Sequence, residues 1–361
     1  MEGRAVAQVV RRSGRPLQQL IAAVEEIKEQ LQDAYENLDE RWYHGTCFVE
    51  LMIKDGCFLM EMGSVFQHGE SANKDFESDD PVFGDHGGLY LFNGIRADVV
   101  LIENQLPLLL LKKLMDVAYP DYFQSERQIN NWVLFSLCST VTYGMRVNYD
   151  HLGLHPLDVL HTSIKGTYCN HPECTTEAVM PSAAELHEAG IHFEMSTVKG
   201  FGWGVTFKDG VLKIPKIILY DNAERIFLNL MAFERLHPGS GNYVTAFVVF
   251  MDLLVDTAKD VALLRSKGII KNGLGSDDMV ADMINKALTK GAVMSPDSSL
   301  WNVLHGVNVH CKKPWNKWRA NFLHNYLSNP WVFISLVAAF LLLFGTLMQT
   351  VYTVMPFYTN K

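Results

Sequence analysis

Hydrophobic positions recur along most of the chain at helical spacing. Leu17, Leu20, Val24, Ile27, Leu31, Ala34 and Leu38 follow one another at alternating steps of three and four, with Glu, Gln and Lys between them. This predicts an amphipathic helix opened by Pro16. Such a stripe packs on its own domain or pairs as a short coiled coil. FVELMIKDGCFLMEMGSVF, 48 to 66, is apolar on nearly every side and predicts a helix buried all round, with Lys54 and Asp55 where it reaches water. YVTAFVVFMDLLV, 243 to 255, is a second such run. It is too short to cross a bilayer and carries Asp252, so it predicts a core helix.

Polar punctuation separates these runs. QHGESANKDFESDDPVFGDHGG and YCNHPECTTEAVMPS read as surface loops. VTFKDGVLKI reads as a β-hairpin whose turn is Asp209 and Gly210, placing Phe207 opposite Leu212 and Val205 opposite Ile214. Asp221 with Glu224 predicts a capping box before RIFLNLMAFERL, which stops at His237 and Pro238. Thr257 with Asp260 opens DTAKDVALLRSKG, and Ser276 opens DDMVADMINKAL. No repeat or nucleotide-binding βαβ period appears. The expected fold is mostly α with a small antiparallel β-hairpin element.

One apolar run is interrupted. ADVVLIENQLPLLLLKKLM cannot be a single helix, because Pro107 lacks a donor and disfavours helical geometry at Leu106. The chain must turn near Gln105 and start again at the proline. The new helix's first N–H groups need acceptors, and the side-chain oxygens of Glu103, Asn104 and Gln105 are candidates. With Pro107 they predict a buried structural joint. The rival reading makes Glu103 a general acid or base in a desolvated cleft.

The carboxyl end changes the picture from a helical domain to a membrane protein. No charged residue stands between Trp331 and Tyr358, and residues 331 to 354 form an apolar segment long enough to cross a hydrocarbon core. This predicts a single transmembrane helix, with a buried core helix as the alternative. Before it, Lys312, Lys313, Lys317 and Arg319 are interleaved with Trp315, Trp318, Phe322 and Tyr326. Cations there keep the preceding chain cytosolic and contact lipid headgroups, so membrane lipid is an expected partner. No asparagine falls in an N-x-S/T acceptor, which agrees with that orientation. The expected organisation is a cytosolic helical domain over 1–311, a basic-aromatic segment over 312–330, the span over 331–354 and a short tail over 355–361.

Composition adds bounds. The 361 residues, 48% hydrophobic, suffice for one large or two modest domains. A net charge of −9 offers no footprint for nucleic acid. The six cysteines are irregularly spaced in mostly apolar surroundings, as reduced core thiols are. The start, MEGRAVAQVVRRSGRP, has no apolar core of signal-peptide length. Phosphate-binding loops, nucleophile elbows and H-E-x-x-H pairs are missing, so no catalytic residue, cofactor or small-molecule substrate is predicted. Cys169, His171 and Cys174 in CNHPEC are close enough to share zinc but lack a second ligand pair, so the segment reads as a polar loop without a metal. His151, His155 and His161 read as packing or capping histidines.

LIENQLP, with DGCFLME before it and HLGLHPLDVLHTSI, PSAAELHEAGIHF, DGVLKIP, NLMAFE, FMDLLVDTAKDVALL, GSDDMVADMIN and WNKWRANFLHNYLSNPW after it, resembles the plant family catalogued as domain of unknown function 247. The resemblance runs from about Pro16 to the carboxyl end. It implies one largely helical domain with a carboxyl-terminal membrane span and no established enzymatic activity or cofactor. It also implies that some grass relatives are encoded at self-incompatibility loci and act in pollen as recognition determinants. Relatives usually begin with a further segment containing an SIGPYHHG-like block. Nothing here corresponds to it, which implies a shortened member or a lost start. The expected function is partner-protein recognition or signalling at a membrane. The alternative is a membrane-tethered enzyme using Glu103 or a histidine.

Overall fold

The computed structural model describes residues 2–68, 76–138, 145–147, 149–165, 179–197, 204–314 and 330–359. CNHPEC, Lys317 and Arg319 lie outside these residues.

The chain opens with a helix that the sequence reading did not assign. In α1 (Glu2–Ser13), Ala5 and Val9 are wholly buried against α4 (Cys47–His68). Two ion pairs of 2.8 Å hold α1, Arg12 to Glu61 of α4 and Arg4 to Asp80 in the segment that follows α4. The heptad-like stripe gives two helices instead of one. The backbone at Ile27 leaves helical geometry (φ −109°, ψ 10°) between α2 (Leu17–Glu26) and α3 (Lys28–Asp33). Leu20, Val24, Ile27 and Leu31 are buried, while Ala34 is exposed and Leu38 lies past the helix end. The helix α2 packs on α4 and on α7 (Leu108–Ala118), so its stripe serves this domain and not a coiled coil.

The long α4 is buried along most of its length because two glycines let neighbours approach. A Cβ on Gly56 would lie 2.3 Å from Leu114 Cδ1, and one on Gly63 would lie 2.2 Å from the Trp132 ring. Part of the expected loop after it is core: Val82 and Phe83 are buried, and Phe83 stacks on Phe76 at 4.5 Å. Asp80 accepts from the backbone N–H of Val82 and Phe83 and so organises the turn. Two short helices follow, α5 (Asp85–Tyr90) and α6 (Phe92–Asp98). Beyond α7, α8 (Glu126–Trp132) continues as a π-helical turn over Val133–Leu137, and α9 (Pro156–Lys165) packs on that turn.

The second half is built around α12 (Tyr243–Leu254), the expected core helix, in which Phe247 and Phe250 are fully buried. It contacts α9 and α11 (Ala223–Leu236). The capping box predicted at Asp221 is absent: α11 starts from Asn222, with no side-chain cap bond. The helix start predicted at Thr257 with Asp260 is present, and there a capping box does form, opening α13 (Ala258–Ser266). Asp260 also accepts from Ala184 N, at the start of α10 (Ala183–Glu188), which ties two helix starts together. Ser276 caps α14 (Asp277–Asp282) as expected, accepting from Met279 N.

The hairpin has the predicted register, with Phe207 of β2 (Thr206–Lys208) opposite Leu212 of β3 (Val211–Ile214). Asp209 and Gly210 both have positive φ, 50° and 81°, as the two-residue turn requires. The β content is not purely antiparallel. β1 (His192–Met195) adds to β3 in parallel, giving the order β1-β3-β2, and β4 (Ile217–Leu219) pairs with β5 (Ile270–Asn272) in parallel. The helix α15 (Leu300–Cys311) closes over β2 and ends at exposed Lys312 and Lys313.

The last helix, α16 (Pro330–Thr359), is continuous for 30 residues. Its described apolar side chains are exposed, with Phe340 67%, Leu342 71% and Tyr352 73%, so that stretch is not packed in the core of this domain. Its side chains are described without interruption only from Val337 to Thr353. Among the described residues, no helix is long and apolar enough to cross a membrane.

Candidate functional site

The interrupted leucine run turns as the proline demands. After α6 comes one 3-10 turn (Ile102–Asn104), then Gln105 in extended geometry (φ −87°, ψ 132°), and α7 begins at Leu108. The partners at this joint differ from the expectation. Pro107 has no side-chain cap, and the first N–H of α7, from Leu108, is met by the Leu154 carbonyl at 2.9 Å. Of the three polar residues, Gln105 alone is drawn inward. Its amide nitrogen donates to the carbonyls of Val99 and Leu101, and its amide oxygen accepts from Leu157 N, 2.8 Å away in the first turn of α9. It therefore serves the start of α9 and not that of α7. Glu103 and Asn104 are exposed. Asn104 donates to the Asp98 carbonyl at 3.1 Å, and Ile102 N donates to Asn229 Oδ1 of α11 at 2.8 Å.

Glu103 and Asn104 are exposed because they edge a half-open cleft of about 560 Å³. Phe48, Met52, Val99 and Leu106 form its apolar floor, and Tyr35, Trp42 and Phe58 stand in its walls. Asp55, Asp98, Glu103 and Asn104 bring oxygen to the rim. Asp98 accepts from Arg225 at 2.8 Å. Burial pushes the Tyr35 hydroxyl up to about 12, with the Asp55 charge adding to it, so this wall keeps a neutral phenol. The Glu103 carboxylate makes no hydrogen bond or ion pair among the described residues. The cleft lining holds no histidine, cysteine, serine, lysine or arginine. The joint's residues thus bound a receptacle for apolar groups with acceptors at its edge.

A second cleft, of about 550 Å³, lies between the start of α12 and the start of α15, and its lining is mixed in charge, with Lys165 and Arg235 beside Glu234 and Asp297. The helix start of α12 inside it is already occupied by Glu234. That carboxylate accepts from Val244 N (2.8 Å), Thr245 N (2.9 Å), Thr245 Oγ1 (2.6 Å) and His161 Nε2 (3.0 Å). Burial pushes the Glu234 carboxyl up, but the bonds from His161, Thr245 and Val244 outweigh it and hold it below the usual range. The buried carboxylate serving a helix start, expected at Glu103, is found here. The signal in the sequence was indirect: a glutamate at the end of one helix, a glycine-rich turn HPGSGN, and an apolar helix whose own Asn242 supplies no cap.

The three histidines do not converge. His151 offers its backbone carbonyl to Asn130, and His155 accepts from Asp158 N at 3.2 Å in the first turn of α9. His155 and His161 both lie edge-on to the Phe233 ring. Among the described residues, no group of three His, Cys, Asp or Glu side chains is placed to hold a metal ion.

Residues 3–345 match the family model DUF247, described as plant protein of unknown function. A UPF0481 protein of Arabidopsis thaliana is 28% identical over 370 residues, covering 95% of this chain and 75% of its own length. A second UPF0481 protein of that plant is 29% identical over 174 residues, 48% of this chain and 32% of its own length. No solved structure matches this chain.

Proposed function

The chain belongs to the DUF247 family of plant proteins of unknown function, and from that premise we propose that it is a membrane-tethered recognition protein. The helix α16 anchors it, the helical domain faces the cytosol, and the cleft at the interrupted leucine run receives a protein partner. The observation that carries the tether is the exposure of apolar side chains around the whole described length of α16. Leaving such a helix in water forgoes roughly 1.5–3 kcal/mol for each large apolar side chain, and a bilayer recovers it. The sequence continues that apolar surface without a charge from Trp331 to Tyr358. Lys312, Lys313, Lys317 and Arg319 precede that run in the sequence, and cations before a span favour a cytosolic side for the chain they belong to.

Binding is favoured over catalysis by what the cleft lacks. Glu103 has no serine, cysteine, histidine or lysine beside it in the lining, so the cleft offers no nucleophile with a base for covalent chemistry. An apolar floor with acceptors at its edge is the composition of a recognition site. The recognition role implied for some grass relatives suits such a binder.

A photoreactive amino acid at Trp42, on the cleft wall, tests this reading in plant membranes. It is expected to crosslink a discrete partner that the same group at Lys259, on α13 outside both clefts, does not capture. Equal capture at the two positions, or none at Trp42, would overturn the cleft as the recognition site.

A further inference from the structure

The two large clefts differ in the charged groups they present, and this bears on what the partner carries. The cleft at the leucine break presents Asp55, Asp98 and Glu103 with no cationic side chain in its lining, whereas the cleft at the α12 start holds Lys165 and Arg235 together with Glu234 and Asp297. We propose that the cleft at the leucine break takes a peptide segment in which arginine or lysine alternates with large apolar residues, a proposal that rests on the recognition reading above.

Three features of the rim carry it. The Glu103 carboxylate has no partner among the described residues, and the Asn104 side chain spends its nitrogen on the Asp98 carbonyl, leaving its oxygen as an acceptor at the edge. Asp98 already binds one guanidinium, that of Arg225, at 2.8 Å with both side chains near half exposure, so a second cation meets a geometry this rim already supports. Trp42 adds a ring face suited to cations: the Arg41 guanidinium carbon sits 4.9 Å from its centroid. The floor under these groups is apolar. At about 560 Å³ and open along one side, the cleft exceeds what one ammonium group fills and suits a chain that lays apolar side chains on Phe48, Met52 and Leu106. An acidic or phosphorylated segment would meet the Glu103 carboxylate there with no lysine or arginine in the lining to receive it.

The test uses the full chain in nanodiscs of zwitterionic lipid and two fluorescein-labelled probes, a nonapeptide alternating Leu with Arg and its counterpart with Glu for Arg. Fluorescence polarisation is read against empty nanodiscs. The arginine probe is expected to bind, to weaken with added salt, and to bind Glu103→Gln roughly fivefold less tightly. Lys165→Gln, in the other cleft, should bind it as the unaltered chain does. Glu103 is exposed, so Glu103→Gln should melt at the unchanged temperature, which separates lost contact from lost fold. Binding of the glutamate probe as tight as that of the arginine probe, equal binding by Glu103→Gln, or no binding above empty nanodiscs would overturn the proposal. If the probe fails while the Trp42 crosslink succeeds, the charge assignment falls and the recognition function stands. Failure of both removes the recognition site itself.

Discussion

The Tyr35 hydroxyl reaches the Gln105 backbone carbonyl at 3.5 Å, so the wall of the cleft hangs on the residue whose side chain holds the start of α9. Gln105 is therefore shared by the cleft and the core. Neighbouring Asn104 and Glu103 belong to the cleft alone.

That difference is measurable. Gln105→Ala leaves Leu157 N and the Val99 and Leu101 carbonyls without their side-chain partner, and should destabilise the domain by roughly 1–3 kcal/mol. Asn104→Ala, at an exposed position, should stay within about 0.5 kcal/mol of the unaltered protein. Denaturant melts of the two variants check this, and a larger loss for Asn104→Ala would reverse the assignment of the joint.

Glu234 gives a second prediction, in pH as well as in sequence. Its folded-state carboxyl is held below its ordinary value, so its contribution to stability is complete above the unfolded value near 4.3 and is lost as pH falls through the lower folded one. Asp260 behaves alike: burial raises it, but bonds from Ala184, Thr257 and Ser182 hold it low. The melting temperature should drop on acidification below about pH 4. Glu234→Gln should cost about 3 kcal/mol at neutral pH and flatten part of that acid limb. A variant melting like the parent at pH 7 would show that the N–H groups of Val244 and Thr245 find other acceptors.

Gly210 closes the hairpin at φ 81°. Gly210→Val places a branched side chain in left-handed backbone, and its Cβ would stand 3.1 Å from His310 Cε1 on α15. The expected cost is on the order of 1 kcal/mol or more. An unchanged thermal transition would contradict the turn geometry.

The proposed tether is tested by removing it. Deletion of residues 331–361 should move the protein from the membrane pellet to the supernatant, and protease added to vesicles with their cytosolic face outward should digest the domain of the intact chain. A domain protected in such vesicles would reverse the orientation.

What the sequence disclosed followed local rules. Asp209-Gly210, Thr257 with Asp260, Ser276, and the break at Pro107 act within a few residues, so each was legible before any contact was known. The failures were tertiary. Leu108 N found its acceptor at Leu154, Gln105 turned to α9, and Glu234 reached ten residues forward to cap α12, none of which local spacing encodes. Asp221 failed although its pattern was right, because the helix begins one residue later, after Asn222. The parallel strand β1 was missed because strands of three or four residues carry too little alternation to read. Of the cleft, the rim residues Glu103 and Asn104 were singled out in the sequence, but Tyr35, Trp42 and Phe58 come from two other helices and a loop and meet them only in the fold.

The unbroken run of α16 also sets a length. Thirty residues at about 1.5 Å each make a rod of roughly 45 Å, against a hydrocarbon thickness near 30 Å. Seated in a bilayer, the proposed anchor has length to spare and must tilt or project its ends into the headgroups. Such surplus is least costly in the thicker, sterol-rich plasma membrane and most costly in the thin endoplasmic reticulum. Shortening the helix by one turn within Leu341–Phe344 should therefore shift the protein toward the thinner compartment, which imaging of a fluorescent fusion would read directly.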